Sequence, residues 1–227
     1  MKLDLKKSMP AYHARRASFA LVTVPPMQYL MIDGHGDPNA SPAFAEAVAA
    51  IYPVAYTLKF ASRNDLGRDY VVMPLEALWS APDMAVFTDA RDKSRWDWTL
   101  MNMVPDWLNS EDFQAAVDAV AAKNCPAALD RLRLAVLDEG LCAQTLHVGP
   151  FDTEAAVLAE LHDEFIPGHG LRMTGSHHEI YFSDFRRVPS SKLRTLLRQP
   201  VVDASGGRFV GISPSRTTVG PDERSAP

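Results

Sequence analysis

Met27-Gln28-Tyr29-Leu30-Met31-Ile32-Asp33-Gly34-His35-Gly36-Asp37-Pro38 is an apolar run closed by glycine, aspartate and proline. Such a run reads as a β-strand that ends in a turn. Ser41 then suits a helix N-cap and Pro42 the first helical position. Phe44, Val48, Ile51 and Ala55 recur at three- or four-residue steps, which predicts a helix over about 42 to 60. Pro53 falls inside it and is expected to kink or break it, because proline lacks the donor that a helix interior needs. A loop rich in Arg, Asn, Asp and Gly covers about 61 to 69. Tyr70 to Trp79 reads as a strand, and Trp96 to Val104 as its hairpin partner, stopped by Pro105.

The same order returns further along. Leu141 to Val148 is strand-like and is turned by Gly149-Pro150-Phe151-Asp152. Thr153 can cap a helix whose apolar face is Ala156, Leu158, Leu161 and Phe165, ended by Pro167-Gly168. Ser176 to Asp184 is a strand and Leu193 to Gln199 its partner, stopped by Pro200. This internal repeat predicts an α+β fold of two tandem βαββ modules, at about 20 to 105 and about 141 to 202. Each module alone is too small to bury its sheet face well, so the two are expected to pair their antiparallel sheets. Between them, about 106 to 140, Ser110-Glu111-Asp112-Phe113 opens one predicted helix. Pro126 opens a second (Leu129, Leu132, Val136), closed by Gly140. Residues 203–227 read as a mobile tail, in which Phe209-Val210-Gly211-Ile212 could dock.

Composition narrows the function. Charged residues make up 22% of the 227 and the net charge is −5, with no long basic run. Nucleic-acid binding is therefore not expected, since phosphate contacts need clustered Lys and Arg. Lys6-Lys7 and Arg186-Arg187 read as solvated surface. No apolar run reaches the roughly 18 residues of a membrane span, and the Lys-rich start lacks a secretory apolar region, so a cytoplasmic protein without a membrane partner is expected. Cys125 and Cys142 fit no metal spacing and read as reduced thiols, with a disulfide as the other possibility. Neither a metal nor a cofactor is called for.

Both modules place a glutamate inside the third element: Glu76 in Pro74-Leu75-Glu76-Ala77-Leu78-Trp79, and Glu179 in His177-His178-Glu179-Ile180-Tyr181. A strand glutamate taken alone is most simply solvent-facing. Recurrence at matching places in two halves points inward instead. A carboxylate in an apolar cleft is costly to ionise, so its pKa should rise toward the range of acid-base work. Alternation puts Glu179 on one face with Tyr181 and His177. Trp79, Trp98, Tyr70 and Tyr181 could wall a flat ligand or hold a cation, although Trp96 and Trp98 share a face and one of them can simply pack. Adjacent His177 and His178 face opposite ways, which suits a hydrogen bond or an edge position better than a shared metal. Gly34-His35-Gly36 lacks the third glycine and the Lys-Ser/Thr of a phosphate loop.

The opening Val24 to Pro38 resembles that of GyrI-like small-molecule-binding proteins. So do Tyr56-Thr57-Leu58-Lys59-Phe60, Pro74-Leu75-Glu76 with Leu78-Trp79, Trp96 to Leu100, and Glu179-Ile180-Tyr181 followed by Lys192 to Val201. The similarity runs over about residues 1 to 202. It implies pseudo-two-fold symmetry and a central ligand cleft. Family members serve as drug-sensing domains of transcription regulators and as a gyrase inhibitor, and some stand-alone members hydrolyse the strained cyclopropane of DNA-alkylating natural products. Where members often read Leu-Glu-Gly-Leu-Trp-Trp, this chain has Leu75-Glu76-Ala77-Leu78-Trp79-Ser80, with the second tryptophan missing. No DNA-binding helix-turn-helix precedes the repeat, so a regulator role in cis is not expected. By this resemblance the protein binds flat lipophilic molecules between paired glutamates. Glu179, Glu76 and Tyr181 would be catalytic, and Trp79, Trp98, Tyr70 and His177 would contact the ligand. The other reading is a module that sequesters drugs or lipophilic cations without chemistry.

Overall fold

The computed structural model describes residues 2–80, 93–184 and 186–205. The tail residues 206–227, with Phe209 to Ile212, lie outside the described residues. Nine strands form one antiparallel sheet: β1 (Ala20–Val24), β2 (Met27–His35), β3 (Leu75–Ser80), β4 (Asp97–Met103), β5 (Arg133–Leu137), β6 (Gly140–Val148), β7 (Leu171–Met173), β8 (His177–Tyr181) and β9 (Arg194–Asp203). Among the described residues four helices accompany them: α1 (Leu5–Ser8), α2 (Pro42–Asp65), α3 (Ser110–Asn124) and α4 (Glu154–Ala159). α4 runs on through a π-helical turn, Glu160–Phe165, and a last turn at Ile166–Gly168. No described helix is long and apolar enough to cross a membrane.

The expected repeat is present as β2-α2-β3-β4 and β6-α4-β8-β9. The two halves do not form separate sheets. β3 and β8 pair directly, so the order reads β1-β6-β9-β8-β3-β4-β2-β5, with β7 on β9. The central ladder runs Leu75–Tyr181, Glu76–Ile180, Ala77–Glu179, Leu78–His178 and Trp79–His177.

The connections force this sheet to curl. β1 and β2 stand six places apart in the order, yet only Pro25 and Pro26 separate them. A flat sheet would hold them roughly 29 Å apart, whereas three Cα steps span at most about 11 Å. β5 and β6 are likewise six places apart and joined by Asp138 and Glu139 alone. The edges must therefore swing toward each other. One apolar cluster accordingly joins residues from both ends on a single face: Val24, Met27, Tyr29, Met101, Cys142, Ile180 and Leu196. This inner face is closed by the N-terminal segment through Ala11 and Tyr12.

The helices cover the outer face. Ala47, Ala50, Ile51, Val54 and Leu58 of α2 pack on Leu30, Ile32, Ala77, Trp79, Trp98 and Leu100. α3 lies against α2. Its start is fixed by Asn109, whose side chain accepts from Glu111 N and Asp112 N while Asp112 accepts from Asn109 N. Over the other half, Leu161 and Ile166 pack on Ala143 and Val201.

Several sequence expectations need correction. α2 is not broken at Pro53 and extends to Asp65. Tyr70 lies outside β3, forming only an isolated bridge with Leu3. Pro200 does not stop β9; it sits opposite Cys142 within the strand. The second connector helix is absent: a short turn at Leu129–Arg131 leads into β5, which pairs with β2. Leu132, Leu134 and Val136 alternate, the period of a strand, and the edge of β2 supplies the partner. Gly140 caps no helix but adopts φ +62 in the tight β5–β6 turn, a conformation glycine takes freely. Cys125 is exposed, Cys142 is buried, and both are free thiols.

Candidate functional site

β3 and β8 carry the chemistry-bearing residues, and their register decides which ones meet. Ala77 pairs with Glu179 and Trp79 with His177, so Trp79, His177, Glu179 and Tyr181 share the outer face. Glu76 and His178 point to the inner face. The two glutamates expected to meet across one cleft are on opposite sides of the same sheet. Directly opposed residues of an antiparallel pair share a face, and here Glu76 opposes Ile180 while Glu179 opposes Ala77.

On the outer face the Trp79 indole Nε1 donates to Tyr181 Oη at 3.2 Å, and Tyr181 Oη donates to Glu179 Oε2 at 2.7 Å. His177 Nε2 lies 3.7 Å from Glu179 Oε1, beyond hydrogen-bond distance. Burial raises the Glu179 pKa against the opposing hydrogen bonds of Tyr181 and Trp79. Burial and the negative charge of Glu179 raise Tyr181 well above an ordinary phenol.

A second carboxylate comes from the helix. Glu154 opens α4 and is 5% exposed. His147 Nε2 lies 3.1 Å from Pro150 O, and the Thr153 hydroxyl donates to the same oxygen at 2.8 Å, which pins the turn that delivers it. Burial first, then the charge of Glu179, push Glu154 up to about 9, against a hydrogen bond from Thr195. Glu179 and Glu154 are thus two carboxyl groups on this face whose charges act on each other.

Six buried polar atoms without a hydrogen-bond partner cluster under α4 and its π-helical turn: Thr145 Oγ1, Glu154 Oε1, His162 Nε2, both nitrogens of His177, and Gln199 Oε1. Each such atom costs about 1–3 kcal/mol. A folded chain retains that many in one place where ligand or water completes them. Phe44 stacks on Trp79 at 6.3 Å, Trp96 meets Trp79 edge-on at 5.5 Å, and Phe151, 40% exposed, meets Tyr181 edge-on at 5.9 Å. Aromatic rings thus border the Trp79–Tyr181–Glu179 group.

The other expected ligand contacts are packing residues. Trp98 is 1% exposed, its Nε1 donates to Gly36 O, and Phe44 covers it edge-on. Its ring lies so close to β2 that a Cβ at Gly34 would sit 2.0 Å from it. Tyr70 is buried against Trp107, beside the C-terminal end of α2, where Trp107 Nε1 donates to Ser62 Oγ.

Glu76 belongs to a buried chain on the inner face. It accepts from Tyr12 Oη at 2.7 Å and lies 3.0 Å from His178 Nε2. His178 Nδ1 is 2.9 Å from Glu139 Oε1, and Arg198 Nη1 donates to Glu139 Oε2 at 2.8 Å. Arg198 also donates to Gln144 Oε1 and to Ala11 O. Burial would raise Glu139, but His178 and Arg198 bring it down to about 2. Every member has a partner, so this chain reads as a structural brace that ties the N-terminal segment to β3, β8 and β9. Clefts of about 630 Å³ and about 300 Å³ open beside Tyr12 and Arg194 and beside Leu78 and Glu139. No residue lining either of them carries a buried unpartnered polar atom, although the inner face holds one at Tyr29 Oη.

The model of the GyrI-like small molecule binding domain matches residues 18–202. The chain belongs to the GyrI-like family. This GyrI-like protein is 36% identical to an uncharacterised conserved protein of Listeria innocua, with a TM-score of 0.81 over 88% of this chain and 100% of the other. Two structures described as Listeria innocua hydrolases are each 34% identical to it. Their TM-scores are 0.79 and 0.77, covering 89% and 88% of this chain and 100% of theirs. No curated protein sequence matches it. It is a small-molecule-binding domain, with the α+β architecture that its repeat implied.

Sequence reading missed Glu154, His162 and the brace residues Tyr12, Glu139 and Arg198. Glu154 looks like an ordinary first-turn acid of a helix. His162 reaches the sheet only because the π-helical turn inserts a residue, which no periodicity signals.

Proposed function

We propose that this protein has a ligand groove on the outer face of the β3–β8 seam, binds flat lipophilic molecules there, and adds water to a strained, electrophilic cyclopropane conjugated to a carbonyl. The carrying observation is the pairing of half-buried Glu179 with buried Glu154, two carboxyl groups with raised pKa values, beside the Trp79 and Tyr181 rings. The likeness to Listeria hydrolases supports hydrolysis as the reaction class.

Glu179 Oε1, free of Tyr181, takes a proton from a water molecule. That water's oxygen bonds to a ring CH2, the strained C–C bond breaks, and its electron pair flows into the conjugated carbonyl. Glu154, protonated at neutral pH, supplies the proton that this oxygen acquires. A proton passing from Glu179 back to Glu154 restores the pair, and the sum is one water added. Tyr181 fixes the Glu179 carboxylate and is itself held by Trp79.

The test uses a spirocyclopropane-fused cyclohexadienone with a flat aromatic arm, incubated in 18O-labelled water and followed by mass spectrometry. The expected product carries one labelled oxygen, and Glu179→Gln slows its formation at least 100-fold. Equal turnover in that variant rules the mechanism out.

A second reading is sequestration without chemistry. Two facing carboxyl groups near Trp79 and Tyr181 could exchange their shared proton for a lipophilic cation. Tight binding of such cations, with no product from the dienone, would favour it.

A further inference from the structure

The six unpartnered atoms are not spread evenly around Glu179. Four belong to His162, His177 and Gln199. His177 is the cross-strand neighbour of Trp79, and both His177 and Gln199 lie one residue past the last pair of the β8–β9 ladder, His178–Arg198. The Gln199 amide nitrogen is committed to Thr174 O at 2.8 Å and Pro200 O at 3.2 Å, so its Oε1 is offered as a bare acceptor. The π-helical turn brings His162 edge-on to His177, with ring centroids 5.9 Å apart. π-Helical turns occur disproportionately at functional positions.

We infer that His162, His177 and Gln199 form a polar subsite beside the Trp79–Phe44 wall, which takes the uncharged hydrogen-bonding edge of a flat aromatic ligand: an amide, a carbonyl or a phenol. The inference rests on the outer-face groove being the ligand site, and it names the kind of molecule that fits there. Burial holds both imidazoles neutral, His177 down to about 3. A neutral imidazole offers one donor and one acceptor, and Gln199 adds an acceptor. A carboxylate placed here would face Glu179 and Glu154. A quaternary ammonium cannot hydrogen-bond and would leave the same atoms unmet. An amide satisfies both kinds of group and lays its ring along Trp79.

The experiment compares three probes that share one ring: 2-naphthamide, 2-naphthoate and 2-naphthyltrimethylammonium, titrated calorimetrically into the full chain at pH 7. The amide is expected to bind at least tenfold more tightly than either ion. His177→Leu and His162→Phe should erase that margin while circular dichroism shows both variants folded, and His177→Gln should restore part of it. Tightest binding of either ion, or an amide margin unchanged in both variants, overturns the subsite. Equal binding of all three probes overturns the subsite and leaves the groove standing. No binding of any probe at millimolar concentration overturns both.

Discussion

Glu76 Oε2 stands 3.0 Å from His178 Nε2, and both side chains are fully shielded from solvent. A two-fold axis through the Ala77–Glu179 pair, at the centre of the β3–β8 ladder, would place Glu76 and His178 at equivalent positions. The seam between the halves is therefore braced on its inner side by an acid and an imidazole, while Glu179 lies on its outer side. Burial opposes the charge on His178, yet Glu139 and Glu76 raise its pKa. Removing one partner strands the others. Glu139→Gln should cost about 3–5 kcal/mol, because Arg198 and His178 lose their shared counter-charge. Tyr12→Phe should cost only about 1–2 kcal/mol, one hydrogen bond to a buried acceptor. Urea unfolding measures both, and equal losses would contradict the brace.

Acid should weaken the fold by two routes of the same sign. Glu139 has a folded pKa of about 2, below its unfolded value of 4.5, so its contribution is present above 4.5 and fades as pH falls toward 2. His177 is held neutral to about 3, so the unfolded chain takes up its proton first, and stability falls from about 6.5 downward. His177→Leu should flatten the loss between pH 6 and 4.5 and leave the steeper loss below it. Unfolding free energies across that range decide the point.

Glu154 acts in the opposite direction. Its folded pKa of about 9 exceeds its unfolded 4.5, so the folded state retains a proton that the unfolded state releases, and stability declines as pH rises between those values. Glu154→Gln should stabilise the protein by about 3 kcal/mol at pH 7 while slowing turnover. A site that weakens the fold in exchange for chemistry behaves this way. A destabilised variant would mean that Glu154 is ionised and paired.

Gly34→Ala tests the aromatic wall at a distance. The new Cβ would lie 2.0 Å from the Trp98 ring, with rigid strand on one side and Phe44 on the other. Displacing Trp98 should cost about 2–4 kcal/mol and unseat Phe44 from Trp79. Ligand affinity should fall with it, although Gly34 touches no ligand. Unchanged affinity in a destabilised variant would uncouple Trp98 from the wall.

Much of this was legible in the residues. Period-two and period-3.6 runs, with their Gly and Pro punctuation, identified β2, α2, β6 and β8. The family resemblance named the fold. Other features depend on long-range pairing that a linear reading does not contain. Leu129, Leu132 and Val136 fit a helical spacing as well as a strand's, and only the free edge of β2 selects the strand β5. Matching Glu76 to Glu179 was off by one residue, since His178 is the true counterpart, and in a strand one residue exchanges the faces. Pro200 stays in β9 because its carbonyl still accepts from Thr174 N and its missing N–H leaves the neighbouring pairs intact.

Where a ligand sits separates the two faces most directly. A crystal structure of the Glu179→Gln variant soaked with the cyclohexadienone should show the aromatic arm against Trp79 and Phe44, with a polar edge toward His177. Density on the inner face instead, with Tyr12 displaced from Glu76, would mean that the brace is the binding site and the outer-face groove is not.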